Sequence, residues 1–337
     1  MPQFMPQFES EAEKQAKQFV EKLKQKFIDA ENGQQFTFLL VGKTGVGKSS
    51  TINTLIGKEI APVGDYEPTT MEIQNYQCNM NGVEIIVTDT PGLCDELEEA
   101  GNDYKYLEMM RKKVNKIDSM WFVTRLDDTR VSTDEKKGIK LISEGFKAKI
   151  WEQAIIVFTF ADNLSREKYP IALEKRTELI RKEIAKYAGV AIANNVPAVA
   201  VTNSNIFTPD GNKWLGELFT QVYRRLSEEG IAPFLMSTVD RIKTPEKEIV
   251  EKIKEVAGEI VGVPSSSLPT KPSYDQDIEL TRQQVELIQN KTLSTLANTL
   301  VYAGTGALIG SVAGPVGAAI GGGVGGALGI MASIFSW

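Results

Sequence analysis

The chain has 337 residues, two cysteines, no histidine and a formal net charge of −6. This acidic balance argues against binding nucleic acid by bulk electrostatics. The cysteine and histidine counts leave no basis for a zinc site or a disulfide framework, which fits a reducing compartment.

The chain opens on a short repeat, Met1-Pro2-Gln3-Phe4 and Met5-Pro6-Gln7-Phe8. No basic region precedes an apolar core, so no secretory leader is expected. Within residues 1–34, Ala16, Phe19, Val20, Leu23 and Phe27 recur at helical spacing between charged residues. This predicts an amphipathic helix that packs on the body of the protein, with a partner or a membrane surface as the other use of its apolar face.

Residues 35–232 read as the main domain. Phe36–Val41 is strand-like, and Ser50–Ile56 is helix-like. Between them, Gly42-Lys43-Thr44-Gly45-Val46-Gly47-Lys48-Ser49 fits G-x-x-x-x-G-K-[ST] at every fixed position. A strand, a glycine-rich loop and a helix N-terminus make a phosphate cradle. Gly42, Thr44, Gly45, Val46, Gly47, Ser49 and Ser50 are the expected wall of that cradle. Lys48 is the cation for the β- and γ-phosphates, and the Ser49 hydroxyl is a ligand for Mg²⁺. Tyr66–Thr70 is a turn-rich segment of the kind that closes over Mg²⁺. Thr69 is the candidate second hydroxyl ligand, with Thr70 the fallback.

A second apolar run, Val83–Thr88, ends in Asp89-Thr90-Pro91-Gly92. Asp89 can hold the water shell of Mg²⁺. Pro91 and Gly92 free the chain to swing as a sensor of the γ-phosphate. A third run ends in Thr159-Phe160-Ala161-Asp162. One carboxylate can accept both adjacent N–H donors of guanine, which adenine cannot supply, so Asp162 is the base-reading candidate. Its alternative is a cap for the helix that follows. Phe160 can stack on the purine. A fourth run, Val196–Val201, leads to Thr202-Asn203-Ser204, and Asn203 is placed at the other edge of the base. Alternating strands and helices predict an α/β architecture with a parallel, doubly wound sheet.

Residues 233–291 are read as a helical extension. Helices are expected from about 238 to 260 and from 275 to 290, joined by a Pro/Ser-rich linker over 262–272. Residues 292–337 form the last segment, with no charged residue after Lys291. Gly306, Gly310 and Gly314 are spaced by four, as are Gly317, Gly321, Gly325 and Gly329. At helical geometry each series makes a smooth face for close packing, a glycine zipper. Gly314-Pro315 divides the run into halves of roughly 20 residues, each long enough to span a bilayer. One span, a hairpin, or a buried helical pair in a soluble oligomer would each use this segment.

From Gln35 to Gly230 the chain resembles the septin-like branch of the GTPases. It is most similar there to the chloroplast outer-envelope preprotein receptors (Toc GTPases) and the immunity-associated (AIG-type) GTPases. The resemblance rests on Gly42–Asn53, Asp89-Thr90-Pro91-Gly92-Leu93, Arg125-Leu126-Asp127-Asp128-Thr129-Arg130, Ile150-Trp151 and Thr159–Asp162. Where the family carries Thr-His-x-Asp, this chain has Thr-Phe-Ala-Asp. The resemblance implies a doubly wound P-loop GTPase fold, GTP as substrate, Mg²⁺ as cofactor, and homodimers or higher homo-oligomers that face each other across the nucleotide. It places Arg130 where the family directs an arginine toward the partner's nucleotide. Lys48, Thr69 and Arg130 are then the expected catalytic residues. Slow intrinsic hydrolysis is expected, because Leu93 stands where Ras-type enzymes have a glutamine. The expected whole is a GTP-hydrolysing switch held by its tail, as an anchor or a hairpin, on the cytosolic face of an intracellular membrane. A membrane-remodelling or pore-forming protein assembled by the glycine zipper is the alternative, and an adenine-binding or hydrolytically inert scaffold a third.

Overall fold

The structure, a computed structural model, describes residues 35–63, 74–90, 108, 116–238, 241–244, 274, 276–288 and 290–291. The N-terminal helix, the 262–272 linker and the glycine-rich tail lie outside the described residues. Among the described residues, no helix is long and apolar enough to cross a membrane.

The chain divides into two compact units, one of Gln34–Lys243 with Gly258–Thr281, the other of the remaining residues. Of the second unit, residues 282–288 are described as helix. The first unit holds a six-stranded sheet in the order β2-β3-β1-β4-β5-β6. Its strands are β1 (Gln35–Val41), β2 (Gln74–Met80), β3 (Val83–Thr90), β4 (Ser119–Arg125), β5 (Ala154–Thr159) and β6 (Ala198–Ala200). The helices are α1 (Lys48–Ile56), α2 (Thr133–Phe146), α3 (Lys168–Ala188), α4 (Val190–Asn195), α5 (Trp214–Arg225) and α6 (Glu228–Thr238).

The central strands β1, β4 and β5 are buried almost end to end. That is why they read as continuous apolar runs: a strand covered on both faces has no polar alternation. Leu39, Phe122, Ile156 and Phe158 pack with Ile139, Ile142, Ile180 and Ile184 of α2 and α3 on one face. On the other face Phe36, Phe38 and Trp121 join a ring cluster with Phe219 of α5 and Phe234 of α6. Helices therefore cover both faces, as expected.

Four expectations are corrected. The sheet is mixed rather than parallel, because β2 runs antiparallel to β3 at the edge. The two are joined by Asn81 (φ 52°) and Gly82 (φ 83°). A two-residue turn with both φ positive matches the twist of a hairpin and selects Asn-Gly. Where the expected helix from 238 should run, α6 ends at Thr238 and Ile242–Lys243 forms β7, paired with β8 (Ile278–Glu279), while residues 245–260 lie outside the described residues. β8 likewise displaces the start of the expected 275–290 helix to residue 282. Finally, α6 crosses residue 232 and seats Phe234, 1% exposed, against Phe36 and Phe219.

Phe234→Ala is expected to destabilise the unit by about 3–5 kcal/mol in urea unfolding, the range for deleting a buried aromatic ring. A cost under about 1 kcal/mol would mean that α6 is peripheral to the core.

Candidate nucleotide site

The glycine-rich loop joins β1 to α1 across the C-terminal edge of the sheet. A Cβ on Gly42 would stand 2.2 Å from the Val123 carbonyl oxygen, so the loop can lie this close to β4 only with glycine there. Gly47 precedes α1 with φ 88°, a left-handed conformation that glycine adopts without strain. Thr44 and Gly45 are exposed, Val46 is buried, and Ser49 and Ser50 are half-buried on the first turn of α1. The sequence motif is therefore folded as a cradle at a helix N-terminus, the geometry in which backbone N–H groups meet an anion.

Lys48 is 6% exposed, and its ammonium donates to the carbonyls of Gly42 (3.0 Å) and Lys43 (2.9 Å). Its Nζ lies 3.6 Å from Asp89 Oδ1. Asp89 reaches this point because parallel pairing sets it opposite Leu40, two residues before the loop. Lys48 and Asp89 thus meet at the turn of α1 that carries Ser49. A hydroxyl and one carboxylate beside a phosphate cradle are the oxygen donors that Mg²⁺ takes when phosphates and water complete its octahedron. Among the described residues, no group of three His, Cys, Asp or Glu side chains could by itself hold a metal ion. Thr69 and Gly92 lie outside the described residues. Beside the cradle, Lys43 pairs with Asp134 at 2.5 Å. The hydrogen bond to Asp134 holds the Lys43 ammonium above its ordinary pKa.

On the other side, the Thr159 hydroxyl at the end of β5 donates to the Val46 carbonyl at 2.7 Å and lies 3.2 Å from the Thr124 carbonyl. Phe160 follows with φ 54°, and the Arg125 guanidinium sits 4.0 Å from its ring centroid. Arg125 also forks onto Asp127 with bonds of 2.9 and 2.7 Å, and Asn163 adds a third at 2.8 Å. Burial pushes the Asp127 carboxyl up. The hydrogen bonds from Arg125 and Asn163 outweigh it and hold the group below its usual pKa.

Asp162 is exposed, and its Oδ2 accepts from the Ser204 hydroxyl. It caps no helix: it lies inside a single 3₁₀ turn, and α3 begins six residues later without a side-chain cap. Asn203 is placed otherwise than expected. Its amide faces the loop, with Oδ1 3.1 Å from Thr51 Oγ1 and Nδ2 donating to the Gly47 carbonyl at 3.4 Å. In this arrangement it joins the β6 loop to the cradle.

Arg130 is exposed, with its carbonyl held by Arg176. A cavity of about 260 Å³ opens between the cradle and the loop after β4, lined by Gly42, Val46, Thr124, Asp128 and Glu135 among others, without Arg130. Glu135 and Arg176 are the residues that the sequence reading missed. The Ser132-x-x-Glu135 spacing is a capping-box signal that could have found Glu135; Arg176 has no local signal.

Residues 36–197 match the AIG1 family, and this span is an AIG1 family domain of the Toc/AIG type. Translocase of chloroplast 33 from Arabidopsis thaliana is 34% identical over 186 residues, 53% of this chain and 59% of that protein. Translocase of chloroplast 101 from Physcomitrium patens is 27% identical over 199 residues, 54% of this chain and 22% of that protein. The chain therefore spans only part of the length of either relative. The crystal structure of Toc33 from Arabidopsis thaliana with GDP and Mg²⁺ aligns with a TM-score of 0.48 at 29% identity, covering 64% of this chain and 92% of that one.

Thr159→Val keeps the shape of the side chain and removes the donor to Val46. We expect a loss of about 1–3 kcal/mol in urea unfolding, the cost of a buried acceptor left unpaired. A change within about 0.5 kcal/mol would show that the hydroxyl does not hold the loop.

Proposed function

We propose that this chain is a GTP-binding and slowly GTP-hydrolysing switch that uses Mg²⁺ and pairs with a second copy across its nucleotide site. The observation that carries the reading is Lys48. It is buried in the cradle, aimed by two carbonyls of its own loop and set beside Asp89. A buried ammonium beside the N–H groups of a helix N-terminus suits an anionic ligand, and a phosphate chain is one. Ser49 would give Mg²⁺ its hydroxyl and Asp89 would fix its water shell, with Thr69 as the second hydroxyl. Mg²⁺ would neutralise the phosphate oxygens.

Guanine is favoured over adenine by the exposed position of Asp162 in the turn after β5, where its carboxylate can accept two N–H donors. Phe160 offers a ring face to the purine. Hydrolysis transfers the γ-phosphoryl group to water. With positioning and charge as the main contributors, Lys48 and Arg130 of the second copy are the cations that stabilise the developing negative charge. The tail anchors the switch on the cytosolic face of an intracellular membrane; the support is the uncharged run from 292 to 337 and its two glycine series.

In calorimetric titration, Lys48→Ala is expected to weaken GTP binding by roughly a hundredfold, the scale of a lost charge-assisted contact in a dry site. Asp162→Asn should move preference from guanine to xanthine nucleotides, since the amide can donate where the carboxylate cannot. Wild-type GTP affinity in the first variant would sink the phosphate assignment, and equal ATP and GTP binding by the parent chain would sink the base assignment.

The intact chain is also expected to float with liposomes without making them leak, and to stay with the soluble fraction when residues 292–337 are deleted. Flotation that survives the deletion would remove the anchor from the tail. Dye leakage by the intact chain would favour the pore-forming alternative.

A further inference from the structure

Residues 126–132 join β4 to α2 and carry Arg130. Both ends of this loop are fixed. At one end Leu126 N donates to the Thr159 carbonyl at 2.9 Å. At the other, Ser132 and Glu135 form a capping box at the start of α2. The middle is fixed by a residue from far along the chain. Arg176 of α3 is 2% exposed, and its Nη1 donates to the Arg130 carbonyl at 2.8 Å. Its Nη2 donates to Glu135 Oε1 at 2.7 Å and to Thr124 Oγ1 at 3.0 Å. The Thr124 hydroxyl donates to the same Glu135 oxygen, while Glu135 Oε2 accepts from Ser132 N at 2.6 Å.

One guanidinium thus meets the end of β4, the cap of α2 and the backbone of Arg130 at once. Stability alone is a weak reason for such a pair, because taking both charges out of water costs much of what their attraction returns. Geometry is the better reason. A planar fork has donors at fixed angles, so three acceptors on three elements are held in one arrangement. The Arg130 backbone is pinned while its side chain stays exposed, and Glu135 and Thr124 of the same network wall the cavity beside the cradle.

We propose that Arg176 is a positioning residue that presents Arg130 to a second copy of this chain, acting through the Arg130 carbonyl and Glu135. The proposal rests on the pairing across the nucleotide site read above. Arg176 touches no atom of the cradle, so it should govern association without governing nucleotide affinity.

The test uses the full chain with Arg176→Lys, Arg176→Met, Arg130→Ala and the Arg130→Ala/Arg176→Met double variant. In sedimentation with a non-hydrolysable GTP analogue, Arg176→Met is expected to weaken self-association by about tenfold, the order of a lost bond to a charged donor. Arg176→Lys should fall between it and the parent chain, since an ammonium keeps the charge without the fork. GTP affinity measured at concentrations where the chain is monomeric should stay within about twofold of the parent. The double variant should associate no more weakly than Arg130→Ala, because a residue acting only through Arg130 has nothing further to remove. Amide exchange across 126–132 in the monomer should be faster in both Arg176 variants.

Unchanged exchange would overturn the positioning itself. Faster exchange with parental association, in a background where Arg130→Ala is defective, would overturn its use in pairing. Additive losses in the double variant would overturn the route through Arg130. If Arg130→Ala associates like the parent chain, the pairing reading fails, and the exchange result still decides whether Arg176 sets the loop.

Discussion

A loop that turns its N–H groups toward a ligand must find other partners for its carbonyls, and much of this site is built to supply them. Gly42 and Lys43 give theirs to the ammonium of Lys48. Val46 gives its carbonyl to the hydroxyl of Thr159. The Gly47 carbonyl accepts from the Thr51 backbone at 3.0 Å, from the Thr51 hydroxyl at 2.8 Å and from Asn203. The requirement follows from the cost of leaving a buried backbone group unpaired. It explains why Asn203 faces the loop instead of standing apart at the base edge. It also explains why threonine serves at position 159: the loop asks that position for one hydroxyl donor.

These donors come from positions as far apart as 48 and 203, and the sheet brings them together. Parallel register sets Asp89 opposite Leu40 and Thr159 opposite Arg125. With β1, β3, β4 and β5 all parallel, their C-terminal ends fall along one edge, and chain reversals there need only short loops. The Lys48–Asp89 approach, the Arg125 fork on Asp127 and the Thr159 bond to Val46 all derive from that shared direction. The antiparallel strand β2 lies at the edge of the sheet, with Gln74 opposite Asp89.

What the sequence made legible follows the range of the interactions involved. The cradle, the strand before it and the helix after it are dictated by neighbours a few residues apart, and they fold as the motif requires. Asp89 and Asp162 were legible because strand ends in a parallel sheet have a known place. The segment from 242 was not. Ile242 and the apolar residues after it recur at helical spacing, yet Ile242 is taken into a pair with Ile278, 36 positions away. Spacing cannot register a partner so distant, and tertiary pairing overrode local preference. The Asn81-Gly82 turn was a readable local signal passed over. The Glu135–Arg176 pair was legible only at its Glu135 end, where the capping box is local.

Four arginines, Arg176, Arg181, Arg225 and Arg241, donate to backbone carbonyls. Arg176 donates to the Arg130 carbonyl, Arg181 to that of Val196, and Arg225 to those of Trp151 and Asn195. Arg241 donates to the carbonyls of Thr54, Leu55, Tyr274 and Gln276. Some of these oxygens lie at the ends of helices: Asn195 closes α4, and Thr54 and Leu55 lie in the last turn of α1. A five-donor fork reaches several such oxygens at once, where lysine offers a single point. Arg241 has the most consequential position, because it holds the C-terminal end of α1, the helix whose N-terminus is the cradle. Gly57 closes that helix at φ 80°, and a Cβ there would stand 2.4 Å from the Arg241 side chain. The helix that begins at the phosphate loop therefore ends against the chain on both sides of the Ile242–Ile278 pairing. Any shift of α1 along its axis must be accommodated by the Arg241 contacts, so the cradle and the extension after α6 are mechanically joined through one side chain.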